Sequence, residues 1–155
     1  MKNNLKNYVI HFKEYENNEN VNNLQTLKEF AKTSYDHKNR FNEILKTEKI
    51  NKRKVVGYGA SARSSTMLNF CNITQNEIMQ IADKNQLKHN LYTPGSHIPI
   101  TSPEKVMNIN PDTIVILAWN FLDEIIFELK KNFAFQGRII IPLPYPPVSL
   151  MIEEL

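Results

Sequence analysis

Cysteine is almost absent from this sequence of 155 residues: Cys71 is the only one, so no disulfide can form within the chain. The four histidines do not combine with it into the regular ligand spacing that is typical of zinc sites. We therefore expect no metal centre, and we interpret Cys71 as a buried thiol in a cytoplasmic protein. The polar start of the chain, with no apolar signal region behind it, favours the same compartment.

Long apolar runs are missing as well, since none approaches the ~20 residues of a membrane span. Residues 1–53 carry 11 lysines and arginines against 7 acidic residues, whereas residues 54–155 carry 8 against 9. No stripe of basic residues with interleaved aromatic residues is present, so we expect neither nucleic acid nor membrane as a partner. A hydrophobic content of 41% and a charged content of 23% are typical of an ordinary globular protein.

Two common catalytic signatures do not occur either. The chain has no Gly-x-Ser-x-Gly elbow of an α/β hydrolase, and no lysine follows its glycines in the spacing of a P-loop. These absences exclude the simplest motif-based assignments to hydrolysis of esters or of nucleoside triphosphates.

What the sequence does contain is one glycine turn, Gly57-x-Gly59-x-x-Ala62, after the β-branched pair Val55-Val56. A strand, a glycine turn and a helix form the phosphate-binding corner of doubly wound α/β proteins, where free amides and the helix dipole attract an anion. The same pattern also occurs in turns that are merely well packed. We favour the ligand site because the following residues support it.

Hydroxyl groups and one arginine are concentrated at this helix start. Ser61, Ser64, Ser65 and Thr66 are mediocre helix formers, and their grouping favours an anion site over simple packing. Arg63 is placed to reach a phosphate, although it also fits a solvated helix surface.

Asp83 ends the next apolar run, where an acidic residue of a second parallel strand can bind a ribose hydroxyl. Asp83 can equally cap the turn that it begins, and the two interpretations are compatible. The polar loop that follows lies at the carboxyl end of the predicted sheet and contains Lys88 and His97. Trp119-Asn120 follows another buried strand at the same edge.

Hydrophobic periodicity predicts an α/β fold with a Rossmann-like parallel sheet, preceded by a long amino-terminal helix. Residues 1–19 are predicted to be irregular, with Tyr8 to Phe12 as one short strand or an anchoring segment. The apolar stripe of the leading helix predicts packing on the sheet domain, or on a partner. The remaining predicted elements are one or two helices over 20–48, strands at 54–58, 78–82, 113–118 and 138–142, a further short strand at 98–100, and helices at 61–71, 102–107 and 122–132. Residues 143–147 are rich in proline and are predicted to leave the sheet as an extended tail.

Several of these segments together resemble the C-terminal domain of the sugar C-methyltransferases, which methylate a ring carbon of a keto-deoxysugar carried on a nucleoside diphosphate. The family pattern is Gly-Tyr-Gly-Ala-Pro-Ala-Lys-Gly with Thr-Leu-Leu-Asn, then Pro-Gly-Thr-His-Ile-Pro-Ile, Trp-Asn and Asp-Glu-Ile. Its counterparts are residues 57–64, 66–69, 94–100, 119–120 and 123–125, and the likeness covers most of residues 20–145. The chain departs from the pattern at Ser61, Arg63 and Ser64, and arginine and lysine do not bind phosphate with the same geometry.

The resemblance implies a domain that holds the nucleotide part of the substrate. The full enzymes also have a zinc-binding domain and a domain that binds S-adenosylmethionine and carries a catalytic Glu-His pair, and neither pattern occurs here. We therefore assign no catalytic residue, expect no cofactor in this chain, and expect no methyl transfer without a methyltransferase domain or partner. The predicted substrate-binding residues are Gly57, Tyr58, Gly59, Ala60, Ser61, Arg63, Ser64, Asp83, Lys88, His97, Trp119 and Asn120.

Two alternatives remain open at this point. The glycine spacing and Asp83 fit a small module for NAD or a related dinucleotide equally well. A third interpretation is an interaction domain whose leading helix docks a partner. In either case we expect a segment over residues 1–53 that packs on one core domain over residues 54–155.

Overall fold

The structure, a computed structural model, describes the chain from Lys2 to Leu155, with side chains from Val9 onward. Its helices are α1 (Lys2–Asn18), α2 (Leu24–Ile50), α3 (Ala62–Cys71), α4 (Pro103–Met107) and α5 (Leu122–Phe133). Its strands are β1 (Val55–Tyr58), β2 (Ile81–Ala82), β3 (Ile100–Thr101), β4 (Thr113–Ile116), β5 (Arg138–Ile141) and β6 (Val148–Met151). Short 3₁₀ turns cover Gln86–Lys88, Trp119–Phe121 and Ile152–Glu154.

The chain forms two compact units, one ending at Asp36 and the other running from His37 to Leu155. The first unit contains α1 and the amino-terminal part of α2. Its described apolar side chains are largely exposed, including Val9, Ile10, Phe12, Tyr15, Val21, Leu24, Leu27, Phe30 and Tyr35.

The prediction of an irregular segment over residues 1–19, with a short strand or anchor at Tyr8 to Phe12, was wrong: this segment is the helix α1. Its lysines and glutamates are good helix formers. Val9, Ile10 and Phe12 are exposed, so the helix has no buried face among its described side chains. Without a buried face there is no apolar stripe of helical period, which is the signal on which the sequence prediction depended.

The second unit contains a mixed sheet of six strands in the order β3-β2-β1-β4-β5-β6. The first five strands run parallel, and β6 pairs antiparallel with β5. The predicted α/β class and the helix leading into the sheet are confirmed. The strand order reverses between β1 and β4, and in open α/β sheets a crevice for ligands opens at such a point.

Strand β6 was not predicted. Residues 143–147 do leave the sheet after β5, but the chain turns back at Val148 and pairs Ile141 with Val148 and Arg138 with Met151. The strand is half-buried at the sheet edge, so its apolar pattern is weak, and the preceding prolines suggest that the sheet has ended.

Each face of the sheet is covered by helices. On one face, Phe41 and Leu45 from α2 and Leu68 from α3 pack in a cluster that includes Val115 and Ile140. On the other face, α5 packs Ile125, Ile126 and Leu129 in a cluster with Ile114 and Ile139. The central strands are buried on both faces, which explains why they occur as continuous apolar runs in the sequence.

A buried carboxylate closes the amino end of the sheet. Glu48, only 2% exposed, accepts a hydrogen bond from the Thr113 hydroxyl at the start of β4. Its other oxygen lies 2.9 Å from Nη1 of Arg53 and 3.9 Å from Nε of Arg138 at the start of β5. Burying a carboxylate is costly unless it is paired, and here each oxygen has a partner.

Between Lys2 and Leu155, no helix is both long enough and apolar enough to cross a lipid bilayer.

Candidate functional site

A cavity of about 460 Å³ opens at the carboxyl ends of β1, β2 and β4, at the point where the strand order reverses. Ligand sites commonly have volumes of about 300–1,000 Å³, so the cavity has room for a small organic molecule. It is lined by Tyr58, Gly59, Ala60, Ser61, Asp83, Lys84, Lys88, Ala118, Phe121, Glu124 and Ile125.

The two glycines of the turn have different roles. Gly57 lies inside β1, where an added Cβ would lie 2.8 Å from Cδ1 of Leu117, so this residue is needed for packing within the sheet domain. Gly59 has a φ of +95°, and an added Cβ would lie 2.3 Å from Cβ of Ala118. A glycine is therefore required at position 59 because the chain after β4 passes very close to it. Gly59 also lines the cavity.

Asp83 connects three parts of the cavity wall. Its Oδ2 accepts hydrogen bonds from the Ala60 amide at 2.8 Å and from Nζ of Lys88 at 2.9 Å. Its Oδ1 accepts from the Asn85 amide at 2.8 Å, which is the predicted turn cap. Asp83 is 8% exposed, and the three donors hold it between the glycine turn and the loop after β2. Binding of a ribose hydroxyl by Asp83 stays a prediction.

Two lysines line the cavity, and each is paired with a carboxylate. Lys88 binds Asp83 and also donates to the Ala60 carbonyl at 2.7 Å. Lys84 lies 2.5 Å from Oε2 of Glu128. Glu128 also accepts the Tyr58 hydroxyl at 2.8 Å, and burial together with this carboxylate raises the pKa of Tyr58 well above its ordinary value. Tyr58 therefore remains a neutral hydrogen-bond donor at neutral pH.

The hydroxyl groups at the start of α3 bond to their own helix. Ser61 and Ser64 form a reciprocal capping box, in which each side chain accepts the backbone amide of the other. Ser65 and Thr66 donate to the carbonyls of Ser61 and Ala62. Ser64 is fully buried, whereas Ser61 reaches the cavity. The capping box accounts for Ser61 and Ser64 without a ligand, and an anion at this helix start stays a prediction.

Arg63 and Trp119-Asn120 meet in a separate, smaller cleft of about 30 Å³. Ser61, Ala118 and Phe121 line both this cleft and the larger cavity, so the two spaces adjoin. The structure thus brings together residues from two predicted motifs that lie more than 50 positions apart in the sequence.

His97 does not line the cavity. It has a φ of +54° and stacks on Tyr92 with ring centroids 4.4 Å apart, on an exposed part of the loop between β2 and β3. The neighbouring turn is held by Asn69 of α3, which donates to the Pro94 carbonyl at 2.9 Å. An added Cβ on Gly95 would lie 2.2 Å from Oδ1 of Asn69. Residues 94–97 of the family-like pattern thus stabilise the conformation of this loop. Binding of substrate by His97 stays a prediction.

The predicted substrate-binding residues omit five that line the cavity: Lys84, Ala118, Phe121, Glu124 and Ile125. Lys84 follows β2, and the other four follow β4 and begin α5, where the resemblance included residues 123–125 but only Trp119 and Asn120 were predicted to bind substrate. The signal that could have found them is their position, because the segments after parallel strands meet at one edge of the sheet. No group of histidine, cysteine, aspartate or glutamate side chains that could hold a metal ion occurs within the described part of the chain.

The family model described as the C-methyltransferase C-terminal domain matches residues 1–144. The chain is also 36% identical, over 121 residues, to the C-methyltransferase NovU of Streptomyces niveus. That alignment covers 78% of the chain but 29% of the relative, so the chain spans less than a third of the length of this curated protein.

Proposed function

Because the chain belongs to the family of C-methyltransferase C-terminal domains, we propose that it binds the nucleoside-diphosphate sugar that a C-methyltransferase modifies. In this proposal the chain positions the substrate in the cytoplasm, and the methyl transfer itself takes place on another domain or chain. The observation that supports this most directly is the cavity of about 460 Å³ at the strand-order reversal.

Three properties of the cavity suit such a substrate. Its walls combine apolar surface from Ala118, Phe121 and Ile125 with polar groups at the glycine turn. Phe121 is an aromatic residue that is 57% exposed, and it is available for contact with the face of a nucleobase. Asp83 lies at the end of β2, where a carboxylate suits a ribose hydroxyl.

The strand ends of this chain offer no second glycine turn of the kind that would suggest a separate site for the methyl donor, S-adenosylmethionine. Instead, β4 leads into Ala118 and the 3₁₀ turn Trp119–Phe121, and β5 leads into Pro142. We therefore propose that the donor binds to a methyltransferase domain or partner chain, and that this chain alone catalyses no transfer.

Titration calorimetry tests the proposed ligand. We expect a nucleoside-diphosphate sugar, or the diphosphate alone, to bind more tightly than NAD across a panel of nucleobases. Glu124→Trp, which places an indole at the cavity wall from an exposed position of α5, should abolish that binding while the far-ultraviolet circular dichroism and the urea unfolding midpoint stay unchanged. Tighter binding of NAD than of every nucleotide sugar would reverse the proposal in favour of a dinucleotide module.

Incubation with labelled S-adenosylmethionine and a panel of keto-sugar nucleotides tests whether this chain alone catalyses methyl transfer. We expect no turnover above background, because transfer requires both reactants to be held in line at contact distance. Turnover that disappears on substitution of a residue of this chain would show that the chain is a complete enzyme.

A further inference from the structure

We propose that the cavity holds the nucleoside of the substrate, whereas the diphosphate lies outside it, on the surface beside Arg63 at the adjoining cleft. This inference rests on the function proposed above and assigns the two parts of the nucleotide to two different places. Arg63 is then the positioning residue that fixes the direction in which the sugar leaves the site.

The charges of the cavity argue against a diphosphate inside it. Lys84 and Lys88 line the cavity together with Asp83 and Glu124, so its formal charges balance. Both lysines are already paired with carboxylates, Lys84 with Glu128 and Lys88 with Asp83. A diphosphate placed here would meet carboxylates without finding an unpaired cation, and like charges at short distance oppose binding.

The serine hydroxyls of α3 do not supply the missing donors. The Ser64 hydroxyl donates to the Ser61 carbonyl at 2.7 Å and accepts the Ser61 amide at 2.7 Å. The Ser61 hydroxyl accepts the Ser64 amide at 3.1 Å. The Ser61 hydroxyl donates its own proton to Oγ of Ser64 over a long 3.3 Å, so Ser61 offers a phosphate one weakly held, uncharged donor. Binding of a phosphate by Ser64 would require the capping box to open, at a typical cost of about 1 kcal/mol for a lost helix cap.

A nucleoside, in contrast, matches the cavity. It is uncharged, so the balanced and paired charges of the wall do not oppose it. Its flat base can lie on the apolar surface of Ile125 and Ala118 and against the ring of Phe121. The ribose then lies towards the glycine turn and Asp83, since these line the same space.

Arg63 provides the cation for a diphosphate that the cavity lacks. It is exposed, and within residues 9–155 no carboxylate lies within ion-pair distance of its guanidinium. It lines the small cleft that shares Ser61, Ala118 and Phe121 with the cavity. A diphosphate that leaves the cavity past these shared residues reaches an unpaired guanidinium, which can bind phosphate oxygens in a bidentate manner.

The arrangement places the sugar beyond Arg63, outside both spaces. A reacting carbon in that position is accessible to a second domain that carries the methyl donor. A sugar buried in the cavity would be shielded from such a domain by the walls.

The test compares the binding of a nucleoside with that of its diphosphate by titration calorimetry, using thymidine and uridine and their 5′-diphosphates as probes. In wild type we expect the diphosphate of the preferred base to bind at least about 10-fold more tightly than the nucleoside, which is the effect of one good charge-assisted contact. Arg63→Ala should remove most of this advantage and leave the affinity for the nucleoside unchanged. Arg63→Lys should restore part of it, and Phe121→Ala should weaken nucleoside and diphosphate by the same factor.

Arg40→Ala is the matched control, because Arg40 is a helix arginine of the second unit that lies over the Tyr145 ring, away from the cavity. It should leave both affinities unchanged. Arg63 is exposed on α3, and Arg63→Gln serves as a second variant that preserves helix propensity.

Three results would overturn the inference. If Arg63→Ala and Arg63→Gln keep the full advantage of the diphosphate while Lys88→Met removes it, the diphosphate lies inside the cavity. If Arg63→Ala weakens the nucleoside as much as the diphosphate, Arg63 does not contact the phosphates selectively. If wild type binds no nucleotide or nucleotide sugar at all, the proposed function fails with it, and this outcome is visible without any variant.

Discussion

The two ends of the sheet each hold a buried carboxylate, and the cavity of the candidate site opens beside the one at the carboxyl end. At the amino end, Glu48 is enclosed by Thr113, Arg53 and Arg138. At the carboxyl end, Asp83 bonds to Ala60, Asn85 and Lys88, and the cavity of about 460 Å³ begins beside it. Both clusters satisfy their polar groups, so polarity and burial alone do not identify a site.

The two carboxylates differ in which parts of the fold their hydrogen-bond and ion-pair partners belong to. The partners of Glu48 are Thr113 and Arg138, at the starts of β4 and β5, and Arg53, in the loop between α2 and β1, and their contacts join elements of the core. The partners of Asp83 belong to the glycine turn and to the loop after β2, which are segments that surround a free space. In this domain, the buried carboxylate beside the cavity connects segments that surround the opening, whereas the one at the amino end connects helix α2 to two strands of the core.

The largest expected effect is on stability at the amino end. Glu48→Ala removes a buried carboxylate with two basic partners and should lower the free energy of unfolding by about 3 kcal/mol, the lower end of values for breaking a buried pair, because both arginines are partly exposed. Urea unfolding measures this. The affinity of the folded protein for a nucleoside diphosphate should stay unchanged, and a weaker affinity would break the distinction between the two ends.

Gly59→Ala tests the backbone at the carboxyl end. The added Cβ would meet the Ala118 backbone nitrogen at 3.0 Å in a left-handed conformation, so we expect a loss of stability of about 2 kcal/mol and loss of ligand binding. Gly57→Ala is the comparison, because its Cβ would overlap the buried side chains of Leu117 and Ile81 at 2.8 and 2.9 Å but Gly57 does not line the cavity. Urea unfolding should therefore show a loss of stability for both variants, whereas calorimetry on the folded proteins should show loss of ligand binding for Gly59→Ala alone. Equal loss of binding in both variants would show that the backbone at Gly59 has no separate role at the cavity.

Asp83→Asn should affect stability and binding together. An asparagine carries no negative charge, so the ion pair with Lys88 that connects the glycine turn to the loop after β2 is lost. We expect a loss of stability of about 1 kcal/mol, and a decrease of about 10-fold in affinity for the nucleoside diphosphate. Unfolding and calorimetry on the same preparation measure both. An unchanged affinity would show that Asp83, like Glu48, has only a structural role.

The smallest effect concerns Tyr58 and appears only at alkaline pH. The pKa of Tyr58 is raised in the folded state, so above its ordinary value of 10.0 the unfolded chain loses the proton while the folded chain keeps it. Stability must then fall as pH rises, by up to about 1.4 kcal/mol for each pH unit from this residue. Tyr58→Phe should make the decline between pH 10 and 11 shallower, as measured by urea unfolding at each pH. If stability declines equally steeply with pH in wild type and in Tyr58→Phe, the pKa of Tyr58 is not raised by folding.

Much of the fold could be predicted from the sequence, because buried parallel strands and capped helices have strong local signals. Ser102-Pro103-Glu104 predicted the start of α4, and the run from Thr113 predicted β4. Helix α1 was missed because its described side chains have no buried face, and β6 was missed because it is half-buried after a proline segment. Both failures concern elements whose stability does not come from a periodic apolar pattern.

The candidate site was predictable in position but not in detail. Gly59, Asp83 and Lys88 lie together around one cavity at the carboxyl edge of the sheet, where the geometry of parallel strands puts them, and their binding of substrate stays a prediction. The pairing of Lys84 with Glu128 on α5 was not, because it joins residues whose separation in the sequence gives no local signal. The serine hydroxyls of α3, in contrast, bond to groups three or four residues away, so the spacing of Ser61 and Ser64 was a local capping signal that we interpreted as an anion site.

The unequal lengths of the strands have a consequence for how the domain moves. β4 pairs over four residues with β1 and over three with β5, whereas β2 and β3 pair with each other over two. Local opening therefore requires fewer broken bonds on the β2–β3 side, and amide hydrogen exchange should be fastest there and slowest at the centre of the sheet. Asp83 and Lys88 belong to this less protected side. A bound ligand that contacts them should slow exchange in β2, β3 and the loop between them more than in β4 or β5, so the exchange pattern reports occupancy of the cavity.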